Sequence, residues 1–136
     1  RDTHTAGTNV FASLHMSPQS DRNMVSWFVE GGLASKGLIQ GRPLDKAAIG
    51  FAYMRMSSGY IDNVRYENQY QQSSQPIPSF ESIVEIDYQA VVSPWLLLQP
   101  FMTYVINPGG KAPRLQNNQM AIPNATVIGL RTIVAF

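Results

Sequence analysis

The stretch Thr126 to Phe136, TVIGLRTIVAF, separates cleanly when counted in twos. Thr126, Ile128, Leu130, Thr132, Val134 and Phe136 fall on one face, with Val127, Gly129, Arg131, Ile133 and Ala135 on the other. A helix would set Arg131 among apolar neighbours and carry many β-branched residues, so the pattern predicts a strand. Glu81 to Val92 repeats it: Val84, Ile86, Tyr88, Ala90 and Val92 oppose Glu85, Asp87 and Gln89. Ser93 and Pro94 break this run. Trp95 to Ile106 resumes it, with Leu96, Leu98, Met102, Tyr104 and Ile106 opposite Gln99, Phe101 and Thr103. So short a link predicts a tight antiparallel hairpin. Pro100 has no N–H to give to a ladder, which predicts a bulge or local distortion there.

Upstream the signal thins but persists. Val10, Ala12, Leu14 and Met16 alternate with Asn9, Ser13 and His15, and Val25, Trp27, Val29 and Leu33 alternate with Ser26 and Glu30. Ala47 to Ser57 also reads as a strand, but its faces stay open because Arg55 shares parity with Ile49, Phe51 and Tyr53. Turn chemistry at 17–23, 40–45 and 107–110 separates these runs. The connections 58–80 and 107–123 are long and rich in Asn, Gln, Ser, Gly, Pro and Tyr. Structureless loops of that length count against a compact domain. Counted back from the C-terminus, long and short links alternate, except that 17–23 is short where a long link is due.

About six strands of roughly 10 residues, apolar on one face and polar on the other, match the weak dyad signature of an outer-membrane β-barrel. Such strands, tilted by ~40°, span roughly 25 Å of hydrocarbon. Trp27, Tyr104, Trp95 and Phe136 sit near strand ends, where aromatic girdles belong. The expected fold is therefore all-β, a transmembrane antiparallel barrel. A terminal Phe136 preceded by Val134, Leu130 and Ile128 at alternate positions resembles the sorting signal that such barrels present to the barrel-assembly machinery; Thr132 is its weak member. The competing readings are a buried last strand and, for the whole chain, a soluble β-sandwich acting as a carbohydrate-binding or adhesion module.

Composition sharpens the choice. Charged residues make up 14% of the 136, against roughly 25% in an ordinary soluble domain. Ten Lys and Arg against nine Asp and Glu leave a net charge of +1, which gives no footprint for nucleic acid. Cysteine is absent, excluding disulfide scaffolds, thiolate metal sites and thiol nucleophiles. No run approaches the ~18 apolar residues of a membrane helix. The opening RDTHTAGTN has no apolar h-region, so no signal peptide is expected there, and the chain reads as a mature protein or a piece that begins in mid-fold.

The run Tyr88 to Gly110, YQAVVSPWLLLQPFMTYVINPGG, followed by Asn124 to Thr132 and the terminal Phe136, resembles the C-terminus of the carbohydrate-selective porins, the OprB family. Asp21-Arg22-Asn23, Gly31-Gly32-Leu33, Gly37-Leu38-Ile39 with Gly41-Arg42 and Asp45, and Gly50-Phe51-Ala52-Tyr53 are similar to it too. The resemblance is weakest in 1–8 and 58–80. Phe101 and Thr103 depart from it, standing where more polar residues are expected on the inner face. It implies a 16-stranded barrel in the bacterial outer membrane that passes mono- and oligosaccharides by diffusion through a polar, arginine-bearing and aromatic-lined pore. Barrels start at 8 strands. Residues 1–136 are then the C-terminal part of one barrel domain, whose remaining strands lie upstream or in another chain.

On the barrel reading, Glu85, Asp87 and Gln89 form a ladder facing water, with Gln99 on the next strand and Arg131 on the closing strand. Sugar hydroxyls pair with carboxylates and amides as acceptors and with guanidinium as donor, while aromatic faces cover C–H patches. Arg131 is also placed to pair with Glu85 or Asp87. Arg55 and Glu30 are further lumen candidates; the bland alternative for each residue is a merely wettable position. Glu85 and Asp87, at i and i+2, have a spacing compatible with a glycosidase pair, but no cleft or raised-pKa setting is readable and catalytic pairs normally come from different strands. No enzyme is expected. His4 and His15 lack metal spacing, neither a P-loop nor a nucleophile elbow occurs, and no cofactor is implied. The Asn124-Ala125-Thr126 sequon reads as chance.

Overall fold

The computed structural model describes residues 6–136; His4 lies outside them. Six strands form one antiparallel sheet in strict chain order: β1 (Gly7–Met16), β2 (Val25–Lys36), β3 (Lys46–Met56), β4 (Phe80–Ser93), β5 (Leu96–Ile106) and β6 (Ala125–Val134). Each pairs with its sequence neighbours, as expected of an up-and-down wall. Among the described residues no helix is long and apolar enough to cross a membrane.

The sheet has no second layer among the described residues. Its buried apolar side chains are Met56 and Val64, both at one end of the strands, whereas Val10, Leu14, Leu33, Ile86, Ile128 and Leu130 are exposed along the strands themselves. A sandwich must bury one face of each sheet against another. This sheet leaves its apolar face open over its whole width, as a lipid-facing wall does.

The β4–β5 link is Pro94 and Trp95 alone, the expected tight hairpin. Pro100 does not shift the register: Asp87 pairs with Phe101 and Ala90 with Leu98 in the same frame, and the shift falls at Val91/Ser93 beside the turn. What proline does is interrupt, because the ladder skips the two positions of β5 at Gln99 and Pro100 on the β4 side. On the other side Pro100 pairs with Leu130 without a break. β6 ends at Val134 rather than on the last residue. Ala135 N–H still donates to the Trp95 carbonyl at 2.9 Å, but the pairing with β5 ends at Leu96 and Val134 and Phe136 is fully exposed.

The connection after β3 is not structureless. Ser57, fully buried, caps helix α1 (Ser58–Tyr70) by accepting from Tyr60 N–H at 3.2 Å. Asn68 closes the far end, accepting from Ser73 Oγ and Gln75 N–H and donating to the Gln75 carbonyl. Gly59 approaches the Ser20 carbonyl so closely that no Cβ fits. The short 17–24 link, out of rhythm in the sequence, is thus the seat on which α1 begins. A four-residue turn, α2 (Pro108–Lys111), with Gly109, Gly110 and Lys111 in the left-handed region, starts the 107–124 connection. It leans to the polar side of the sheet, where Glu81 accepts from Gly109 N–H and Met56 packs on Gly110.

The opposite end is stitched by Asp45, 3% exposed. It accepts from Arg42 Nε at 2.6 Å, Tyr88 OH at 2.5 Å and Val91 N–H at 2.9 Å, fastening the β2–β3 turn to β4. Burial works against the charged carboxylate more than any other single influence. The hydrogen bonds from Tyr88, Arg42 and Val91 together outweigh it and hold the Asp45 carboxyl below its ordinary range.

Candidate functional site: the polar face of the sheet

Register turns the strand pattern into rows that cross the sheet. From the long-loop end, one row joins Ser13, Glu30, Ala52 and Ile83, and the next joins Phe11, Gly32, Gly50, Glu85 and Thr103. The third runs Asn9, Ala34, Ala48, Asp87, Phe101 and Gly129. The fourth holds Gly7, Lys36, Lys46 and Gln89, with Gln99 opposite Arg131 on β5 and β6. These rows share one side of the pleat, since directly paired residues point the same way. Glu30, Glu85, Asp87, Gln89, Gln99 and Arg131, singled out from the sequence, all stand on it.

The side chains are tied to one another across strands. Ser13 Oγ donates to Glu30 Oε1 at 2.8 Å and Thr103 Oγ1 to Glu85 Oε2 at 2.7 Å. Gln99 donates its amide to Asp87 Oδ1 at 2.9 Å and accepts from Arg131 Nη1 at 3.0 Å. Arg131 therefore does not pair directly with Glu85 or Asp87 as expected. Its own strand neighbour, Gln99, fills the gap between donor and carboxylate and relays one to the other. Phe101, the residue out of keeping with a polar wall, lies beneath the guanidinium, 5.8 Å from it to the ring centroid.

Arg55 does not join this face. It pairs with Trp27 on β2 and Phe80 on β4, on the side that carries Tyr53. Tyr53 in turn sits against both rings, at centroid separations of 5.1 Å from Trp27 and 5.4 Å from Phe80. The parity conflict in the sequence resolves as a cation placed in an aromatic band at the long-loop end of the apolar face. Tyr104 falls at the same end and Trp95 at the other, giving both rims aromatic residues.

Two cations went unnoticed in the sequence because they are strand-terminal. Lys36 closes β2, Lys46 opens β3, and the two are directly paired on the polar face. With Arg131 they set a basic row toward the short-turn end, next to the acidic rows of Glu30, Glu85 and Asp87. Among the described residues these three carboxylates have no ion-pair partner; the ion pairs there are Arg22–Asp21, Arg42–Asp45 and Arg65–Asp62, all outside the strands.

A sheet with one polar and one apolar face, both open, fits the family whose model matches residues 1–136, described as carbohydrate-selective porin, OprB family. The chain belongs to that family. It is 26% identical over 137 residues to Porin B of Pseudomonas aeruginosa, covering 96% of this chain and 28% of that protein. A structure of Pseudomonas putida OprB, solved at high pH, superposes with a TM-score of 0.81 at 24% identity, over 96% of this chain and 31% of that one. This porin chain thus spans less than a third of the relatives it matches. Its six strands are part of a barrel wall in the bacterial outer membrane. Ile128, Leu130 and Val134 of the terminal pattern lie on the apolar side by register with Met102, Pro100 and Leu96.

Proposed function

We propose that this porin chain supplies six adjoining strands of a larger barrel that lets mono- and oligosaccharides diffuse through a water-filled lumen, with no chemical step. The observation that carries the reading is the division of one sheet by register. Glu30, Glu85, Asp87, Gln89, Gln99, Arg131, Lys36 and Lys46 share one side, and the opposite side is apolar with no covering layer. β1 and β6 each pair on one side only. Open edges are not tolerated in hydrocarbon, which supports further strands completing the wall. The two-residue turn and the C-terminus would then face the periplasm, and the α1 and α2 connections the outside.

Sugars suit this wall. The carboxylates and amides accept from hydroxyls, Arg131 donates to them, and each contact is made in water, so binding stays weak enough for release. Glu85 and Asp87 are engaged by Thr103 and Gln99, which supports polar lining over an acid–base pair. Phe136 and the alternate apolar residues Val134, Leu130 and Ile128 would serve the barrel-assembly machinery. The test is liposome swelling with the full-length porin: glucose should enter faster than into protein-free vesicles. A folded barrel that leaves glucose excluded would overturn the proposal.

A further inference from the structure

The row Phe11, Gly32, Gly50, Glu85 places an aromatic ring and a carboxylate on either side of two glycines. Phe11 folds over Gly32: a Cβ on that glycine would stand 2.9 Å from Phe11 Cε1. The ring therefore rests on the strand at Gly32, while Phe11 stays 55% exposed on the polar side. Beyond it no heavy atom lies within 4 Å of where a Gly50 Cβ would be. The result is a depression of about 260 Å³, bordered by Phe11, Glu30, Ala52, Ile83 and Glu85 with Gly50 in its floor. Ser13 and Thr103 each hold one oxygen of Glu30 and Glu85, and in each carboxylate the second oxygen has no protein donor among the described residues.

We infer that this depression is a pyranose seat in the pore wall, in which the sugar lays a C–H face on Phe11 and donates hydroxyls to Glu30 and Glu85. The inference rests on the proposed sugar channel and names one resting point in it. An aromatic face is electron-rich and meets polarised C–H groups; ionised carboxylates only accept, so the partner must donate. A small metal cation fits poorly. β3 runs between the two acids and they are offset by two residues along it, which separates them by about 12 Å at the backbone. A flat ring carrying hydroxyls around its rim reaches both acids; one ion does not.

The full-length porin in planar bilayers tests this through block of ion current by D-glucose, with choline as a cationic probe. In Gly50→Val, which adds side-chain bulk to the floor at a position whose Cβ meets nothing within 4 Å, and in Phe11→Leu, which keeps apolar bulk but loses the ring, the half-blocking glucose concentration should rise by about fivefold or more. Phe11→Tyr should restore it, and sugar-free conductance should confirm that each variant forms pores. Unchanged glucose block in Gly50→Val and Phe11→Leu would overturn the seat, as would choline block that these variants abolish while glucose block stays. If glucose swells wild-type vesicles but does not block current, the seat fails and the channel stands; if it does neither, both fail.

Discussion

The ring of Phe101 occupies the space above Gly129, its direct partner on the neighbouring strand, where any side chain would collide with it. Glycine normally weakens a strand; here it lets an aromatic residue lie down on a wall that has to stay open. Gly129→Val should displace Phe101 and cost about 1–3 kcal/mol, the usual range for overpacking. Adding Phe101→Ala should recover most of that loss. A double-mutant cycle of urea unfolding in detergent reads the coupling, and additive losses would mean that the two residues do not compete for space.

Removing Arg131 should spare the fold and change the pore. Its contact with Gln99 is water-exposed and Gln99 runs on to a half-buried contact with Asp87, so Arg131→Ala should alter stability by about 0–1 kcal/mol. The lost cation lies in the basic row with Lys36 and Lys46. Reversal potentials in a salt gradient should shift toward cations and glucose swelling rates should change. If both stay at wild-type values, Arg131 is a bystander.

The two faces should respond differently to the same substitution. Met102→Arg or Ile86→Arg puts a guanidinium into the lipid side, at a cost of roughly 2–4 kcal/mol near the bilayer midplane. Gln89→Arg, directly opposite Lys46 on the polar side, meets a like charge in water and should cost less, about 1 kcal/mol at most. Equal losses at the three positions, measured by unfolding in lipid vesicles, would point to two buried faces.

Asp45 should tie stability to acid only. Its carboxyl is held below the ordinary range of about 3.9 when folded. The folded state thus binds fewer protons than the unfolded one, and the stabilisation is complete above that ordinary value and drains away as pH falls through the lowered one. Asp45→Asn should remove the extra loss of stability on acidification below about pH 4 and loosen the β2–β3 turn at neutral pH. Thermal melts at pH 3 and pH 7 for both proteins check it; an identical pH dependence would contradict it.

The strands were legible because one face had to be apolar and the other wet, and a period of two records that in all of them but β3, where Arg55 shares parity with Ile49, Phe51 and Tyr53. The Ser93–Pro94 break marked the hairpin for the same reason, and the alternation put Glu30, Glu85, Asp87, Gln89, Gln99 and Arg131 on one side before any pairing was known. Register was not legible. It decides that Arg55 stands between Trp27 and Phe80, that Lys36 meets Lys46, and that Phe11 and Phe101 each find a glycine across the ladder. Helix α1 was hidden because it is held by its ends: its one buried side chain is Val64, so Ser57 and the Asn68 bracket specify it where an apolar stripe would otherwise have announced it. The resemblance to the OprB family was legible in the segment from Tyr88 to Gly110, which builds the hairpin and carries Gln99, the middle member of the polar relay.

The central claim, one wall with water on one side and lipid on the other, is tested most directly by a cysteine scan of β4 in the full-length porin. This chain has no cysteine of its own, so single cysteines at positions 83 to 89 report without background from it. Reaction with a membrane-impermeant, water-soluble maleimide should alternate, fast at 85, 87 and 89 and slow at 84, 86 and 88. Uniform reactivity along the strand, or fast labelling at 84, 86 and 88 with 85, 87 and 89 protected, would contradict the account.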